Sequence, residues 1–248
     1  MRLAPTAKHA KRHNNKTTNK RLIVMANIKQ NLEDVLAKIP EGVRLIAVSK
    51  FHPVQELAEA YEAGQRLFGE NRAQELVAKA PELPQDIRWH FIGHLQKNKV
   101  RAIMPHVSVI ESVDSVSLLK LIEKEAARID RTVDVLLQLH VAQEETKSGF
   151  SIDELLEAGE AGQLTVGLPH VRVCGIMTMA SLTDDQEQIA REFEQARRAF
   201  VALKDGCFNE SEFFNELSMG MSDDWPIAVK HGATLVRIGT AIFGPREY

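Results

Sequence analysis

The chain has 248 residues, 44% hydrophobic and 26% charged, with a formal net charge of −3, as expected of a soluble globular protein with one large domain or two small ones. No apolar run approaches the ~18 residues a bilayer span needs. The two cysteines, Cys174 and Cys207, form no CxxC pair, so neither a disulfide framework nor a cysteine zinc site is implied, and a reducing cytoplasm fits.

The charge is uneven. Residues 1–24 carry seven Lys/Arg and no Asp or Glu, which leaves the body near −10. As a transit peptide this leader lacks an amphipathic apolar face. As a nucleic-acid arm it lacks aromatics and would bind weakly, with strong salt dependence. We read it as a disordered leader, or as sequence ahead of a start at Met25, because helix-like sequence (NIKQNLEDVLAKI) begins at once. The working domain is then residues 25–248, expected to bind neither nucleic acid nor membrane.

From there strand-like and helix-like segments alternate. The strands expected are LIAVSK (45–50), QRLFGEN (65–71), WHFIGHL (89–95), VSVIESV (107–113), DVLLQLHV (134–141), VRVCGIMT (171–178), NELSMGM (215–221) and TLVRIGTAIF (234–243). Helices are expected near 54–63, 72–79, 96–103, 115–128, 151–162, 184–204 and 223–231. The sixth is clearest: Ile189, Phe193, Ala196, Phe200 and Leu203 recur at spacings of four and three, and Thr183 with Gln186 makes a capping box. Ser151 with Glu154 makes another. Eight such alternations predict an α/β fold, a single (β/α)8 TIM barrel. An open doubly wound sheet is the alternative, but no GxGxxG follows the first strand.

In a barrel the carboxyl ends of the strands converge on one face, where active sites sit. Lys50 closes the first strand there, and Asn71 holds the same place on the second. The seventh strand runs into MGMS, placing Met221 and Ser222 at its end, with Ser222 as the expected N-cap of the next helix. The eighth runs into Gly239 and Thr240. Small residues, a hydroxyl and backbone amides after strands seven and eight suit a phosphate. Pro226, in SDDWP, lacks an amide hydrogen and argues for a later helix start than Ser222.

Arg237 shares the face of Gly239 by the period of two. It must meet an acceptor, either a strand-end carboxylate such as Glu70 or Glu111, or a ligand. A desolvated lysine forms an imine with an aldehyde. A phosphorylated aldehyde would therefore satisfy both ends of this site, and pyridoxal 5'-phosphate (PLP) is such a molecule.

AVSK, FGEN, WHFIGHLQKNK, ETKSGF, GIMTM, LSMGMSDD and VRIGTAIFG, in that order, resemble the pyridoxal phosphate homeostasis family (YggS/PROSC type) over residues 26–248. The resemblance implies a barrel like the N-terminal domain of alanine racemase, with PLP held as a Schiff base on Lys50. It implies Asn71 beside the ring, Arg237 facing the pyridine nitrogen, and Met221, Ser222, Gly239 and Thr240 around the phosphate. Lys147 aligns with a family lysine suspected of a secondary role, but an exposed loop lysine reads the same way.

His90 and His94 lie two steps apart on one strand face, roughly 13 Å, too far to share a metal ion; no metal site is expected. Amino-acid chemistry needs an acid–base pair. In alanine racemase a tyrosine from a second domain supplies one member. Here the chain ends at the barrel, with only Tyr61 and Tyr248. An arginine opposite the pyridine nitrogen also weakens the ring as an electron sink. The expectation is a cytoplasmic, monomeric, non-catalytic carrier and buffer that passes PLP to apoenzymes. A low-efficiency racemase or transaminase is the runner-up, and a cofactor-free aldolase the third reading.

Overall fold

The computed structural model describes residues 28–142 and 148–245. The leader 1–24, Met25, Lys147 and Tyr248 lie outside the described residues. Eight parallel strands close into a barrel in sequence order: β1 (Arg44–Val48), β2 (Leu67–Glu70), β3 (Arg88–Phe91), β4 (Val109–Val113), β5 (Val133–His140), β6 (Val171–Met179), β7 (Glu216–Ser218) and β8 (Leu235–Ile238). The helices that follow them include α2 (Val54–Glu62), α3 (Ala73–Lys79), α4 (Val100–Ile103) and α5 (Val116–Arg128). Then come α6 (Ile152–Glu160), α7 (Gln186–Asp205), α8 (Trp225–Lys230) and α9 (Thr240–Phe243). Residues 28–36 form a leading helix, α1. The expected barrel is the observed one. Among the described residues, no helix is long and apolar enough to cross a membrane.

Strand alternation divides the core in two. Leu45, Ala47, Phe68, Val135 and Leu137 belong to the large apolar layer packed under the helices. Ile46, Val109, Leu136, Cys174, Met177 and Leu235 form a smaller cluster that fills the barrel interior. The register agrees, pairing Ile46 with Arg237, Val48 with Gly69, and Met177 with Ser218. Partners in a parallel pair point the same way, so Arg237, Gly69 and Ser218 also face inward. At the amino-terminal mouth Arg44 pairs with Glu216, and Arg172 with Asp134 at 2.7 Å.

All five periodic residues of α7 are buried, and each large side chain there contributes about 1.5–3 kcal/mol. The Ser151–Glu154 capping box is present in full. The Thr183 box is not. Asp185 caps α7, accepting from the amides of Glu187 and Gln188 at 3.0 and 3.1 Å, while the Thr183 hydroxyl accepts from the amide of Asp185. A carboxylate at a helix N-terminus gains from the helix dipole as well as the hydrogen bonds, so it takes the position.

Five other expectations are corrected. β8 stops at Ile238, and the apolar TAIF that reads as strand folds as α9. β7 has three residues, and β3 ends at Phe91, before His94. The helix expected at 96–103 is a 3-10 turn (Lys97–Lys99) followed by the single turn of α4. α8 begins at Trp225, so Ser222 is not its N-cap; that position is Asp224, and Pro226 sits in the first turn.

Gly175 interrupts the β5–β6 register and sets how closely β6 approaches β7. Its φ is 153°, and a Cβ there would lie 1.8 Å from the carbonyl oxygen of Glu216. Gly175→Ala is expected to lower stability by on the order of 3 kcal/mol through overlap and strain, measured by urea denaturation. Gly167→Ala, with φ 75° but nothing within 4 Å, should cost about 1 kcal/mol. Equal losses would show that backbone conformation, not the close approach, sets the cost.

Candidate functional site

Lys50 stands two residues beyond β1, half-buried, with the inward parity of Ile46 and Val48. The turn that carries it is tightly fixed. Ser49 is fully buried and its hydroxyl donates to Glu70 Oε1 at 2.7 Å. Phe51 has a φ of 69°, unusual for a residue with a Cβ, and its amide donates to Glu75 Oε2 at 2.8 Å. The Val48–Gly69 register, carried two residues on, sets Lys50 opposite Asn71. The backbone of Asn71 lies against Gly93, where a Cβ would come within 2.3 Å of its carbonyl oxygen. Its side-chain oxygen is buried without a partner among the described residues, an open position for a ligand group.

Arg237 is buried in the barrel interior, 4% exposed. Its Nη1 donates to Ser218 Oγ and its Nη2 to the Thr178 carbonyl oxygen, both at 2.7 Å. Its counter-charge is Glu111, 3.9 Å away and fully buried. Glu111 also accepts from Ser218 Oγ at 2.6 Å and lies 2.6 Å from His90 Nδ1. An ionised carboxylate only accepts, so Nδ1 carries the proton. Burial pushes the Glu111 pKa up, but the His90 hydrogen bond and the charges of His90 and Arg237 outweigh it and hold the carboxyl below its ordinary value. Burial lowers the Arg237 pKa, opposed by Glu111 and Asp224. Of the two carboxylates open to Arg237 in the sequence, Glu111 is its partner, while Glu70 pairs with Lys79.

The turn after β7 is tied to β8 at this mouth by the Arg237 amide, which donates to the Gly220 carbonyl oxygen at 3.0 Å. Gly239 follows β8 so closely against β1 that a Cβ would lie 2.9 Å from the Val48 carbonyl oxygen. Thr240 opens α9, exposed. Ser222 is half-buried in the turn before α8, and Met221 is 38% exposed. The Met221 amide already donates to Asp224 Oδ1 at 2.5 Å, a contact the sequence reading missed.

The two histidines part company. His90 faces the interior network, whereas His94 is exposed and pairs with Asp114 at 3.3 Å. Tyr61 lies on α2, its hydroxyl donating to Asp86 at 2.8 Å and its ring under Arg66. Lys79 was not singled out in the sequence, yet it is buried and bonded to Ser49, Glu70 and Glu75. The one local signal is the Glu75/Lys79 spacing of four on α3. An amine at a strand end, a buried arginine and two small-residue turns on one mouth fit a phosphorylated aldehyde.

The profile of the alanine racemase N-terminal domain matches residues 23–247. A pyridoxal phosphate homeostasis protein of Pasteurella multocida is 37% identical over 230 residues, covering 90% of this chain and 97% of that protein. Among solved structures, PipY of Synechococcus elongatus without PLP superposes with a TM-score of 0.82 at 38% identity, covering 88% of this chain and 100% of its own. PipY with PLP bound gives 0.78 at 39% identity, with the same coverage.

Glu111→Gln tests the interior network. It leaves the buried Arg237 without a counter-charge, a loss on the order of 3 kcal/mol at neutral pH. Because the folded state holds Glu111 below its ordinary value, its contribution is complete above that value and is lost as pH falls through the depressed pKa. The stability gap between wild type and variant, from urea titrations at a series of pH values, should therefore close with acidification. A constant gap would mean that the carboxylate's charge is not what stabilises the layer.

Proposed function

Since the chain belongs to the pyridoxal phosphate homeostasis family, with a barrel of the alanine racemase N-terminal type, we propose that it binds PLP as a Schiff base on Lys50 and serves as a cytoplasmic carrier and buffer for that cofactor. The observation that carries this reading is the placement of Lys50: a residue in a fixed turn, on the inward parity of β1, at the mouth that also receives Asn71, Arg237 and the two small-residue turns. The Lys50 nitrogen joins the aldehyde carbon, the carbonyl oxygen leaves as water, and hydrolysis reverses the link. Reversible capture is what a carrier needs.

In this reading Asn71 flanks the ring, Arg237 faces the pyridine nitrogen, and Met221, Ser222, Gly239 and Thr240 receive the phosphate. Bound PLP supplies an electron sink that is strongest when its ring nitrogen is protonated, and a cationic Arg237 opposes that protonation. Tyr61, tied to Asp86 on α2, is not placed to trade protons at the mouth. Both points favour a holder over an efficient racemase or transaminase. We place the protein as a monomer among PLP-dependent apoenzymes, its recipients. Cys174, whose thiol burial pushes up to about 12, is protected from thiol chemistry.

The test begins with wild type and Lys50→Ala mixed with PLP. Wild type should develop a visible absorbance band that borohydride bleaches, leaving a phosphopyridoxyl mass on the Lys50 peptide; Lys50→Ala should show neither. Loaded wild type should reactivate a PLP-stripped aminotransferase. No band and no adduct would sink the cofactor reading and turn attention to sugar phosphates. Sustained turnover of one amino acid, abolished by Lys50→Ala, would replace the carrier with an enzyme.

A further inference from the structure

The turn bearing Lys50 is fastened on both sides by one cluster. Lys79 Nζ donates to the Ser49 carbonyl oxygen at 2.9 Å, and to Glu70 Oε1 and Glu75 Oε2 at 2.8 Å each. Glu70 Oε1 also accepts from the Ser49 hydroxyl, and Glu75 Oε2 from the Phe51 amide. The residue before Lys50 is thus held by hydroxyl and carbonyl, and the residue after it by its amide. One ammonium joins all three anchors. Its side chain is 10% exposed, far more enclosed than a helix-surface lysine.

An ion pair serving packing alone could bond anywhere along α3. Here every anchor outside the cluster's own carboxylates lies one residue from Lys50. The anchors also hold Phe51 at its positive φ, with the Arg72 guanidinium 4.4 Å from the ring centre. A strained backbone conformation persists only where surroundings enforce it, and such places cluster at functional sites.

We propose that Lys79 is the positioning residue for Lys50: by gathering Glu70 and Glu75 beneath the turn it aims the Lys50 amine into the mouth and offsets one of the two carboxylate charges that would otherwise favour the protonated, unreactive amine. The inference rests on the cofactor reading and deepens it. The charged groups around the cluster are Glu70 from β2, Arg72 ahead of α3, and Glu75 and Lys79 from α3. The adjoining loop before α2 adds His52, paired with Glu56 at 2.8 Å. Burial raises Glu70 above its ordinary value despite Lys79. Burial would raise Glu75 as well, but the hydrogen bonds from Lys79 and Phe51 hold it below its ordinary value.

The test uses the full chain in two states. In PLP-free protein, acetylation of Lys50 by trace acetic anhydride across pH, read by peptide mass mapping, reports the amine itself. In loaded protein, transfer of PLP to excess apo-aminotransferase reports release. Lys79→Met should move the Lys50 profile to higher pH, because two carboxylates lose their cation, and release should be about tenfold faster with the anchors gone. Lys79→Arg should restore most of both. Adding Glu75→Leu to Lys79→Met should return the pH profile but not slow release, since leucine cannot accept from the Phe51 amide and that anchor stays lost. Should Lys79→Met fail to fold by circular dichroism, Glu75→Leu alone carries the test, with faster release and a profile moved to lower pH. Folded variants with unchanged profile and unchanged release would overturn the proposal. Wild type that never takes up PLP would instead overturn the cofactor reading, while the acetylation profile still tests the clamp.

Discussion

A charge enclosed by a parallel barrel must find its counter-charge close by, because both faces of every strand are covered and water cannot solvate it. That constraint arranges the upper half of this protein. Facing inward, Arg237 and Glu111 neutralise each other, with Ser218, Thr178 and His90 taking up hydrogen-bonding capacity around them. Facing outward, Lys79 stands between Glu70 and Glu75 under the β1 turn. The two networks lie on opposite sides of the strand ends and approach the same mouth.

The second constraint is the close approach of backbones at that mouth. Gly93 lies against Asn71 and Gly239 against Val48, with no room for a Cβ at either place. Gly220, at φ 93°, lets the end of β7 pack directly on Trp225 and Ala228 of α8. These glycines draw the loops inward, so polar groups far apart in the chain face one small volume. The ion networks fix directions and the glycines fix distances; neither would suffice alone.

The barrel was legible because its signals are local and repeated. Strand-helix alternation, the α7 stripe and the Ser151 box depend on near neighbours in sequence. The misread boundaries share one cause, an apolar or polar pattern that two conformations satisfy equally. TAIF reads as strand by composition, but beyond Ile238 it has no ladder to join and folds as α9. Thr183 and Asp185 both suit a cap, and the ionised side chain prevailed. The sequence reading of the site stopped at residues that face the mouth. Lys79, nine positions from Glu70, is joined to it by tertiary packing, with its spacing of four from Glu75 as the one local signal, whereas Asp224 lies three positions from Met221 and binds its amide within the local turn.

Arg237 shows why an ion pair and a ligand contact are not rival readings of a buried arginine. From sequence its acceptor was either a carboxylate or a ligand. The fold supplies the carboxylate, at 3.9 Å and partly through Ser218 rather than as a direct two-pronged bond. A tight bidentate pair would satisfy both and leave little field beyond it. A longer, shared one keeps the guanidinium charged inside the barrel yet able to act on a third group. Glu111 is therefore better understood as what makes a buried, permanently cationic arginine tolerable than as what uses it up, and His90 steadies Glu111 in the same way one step further in.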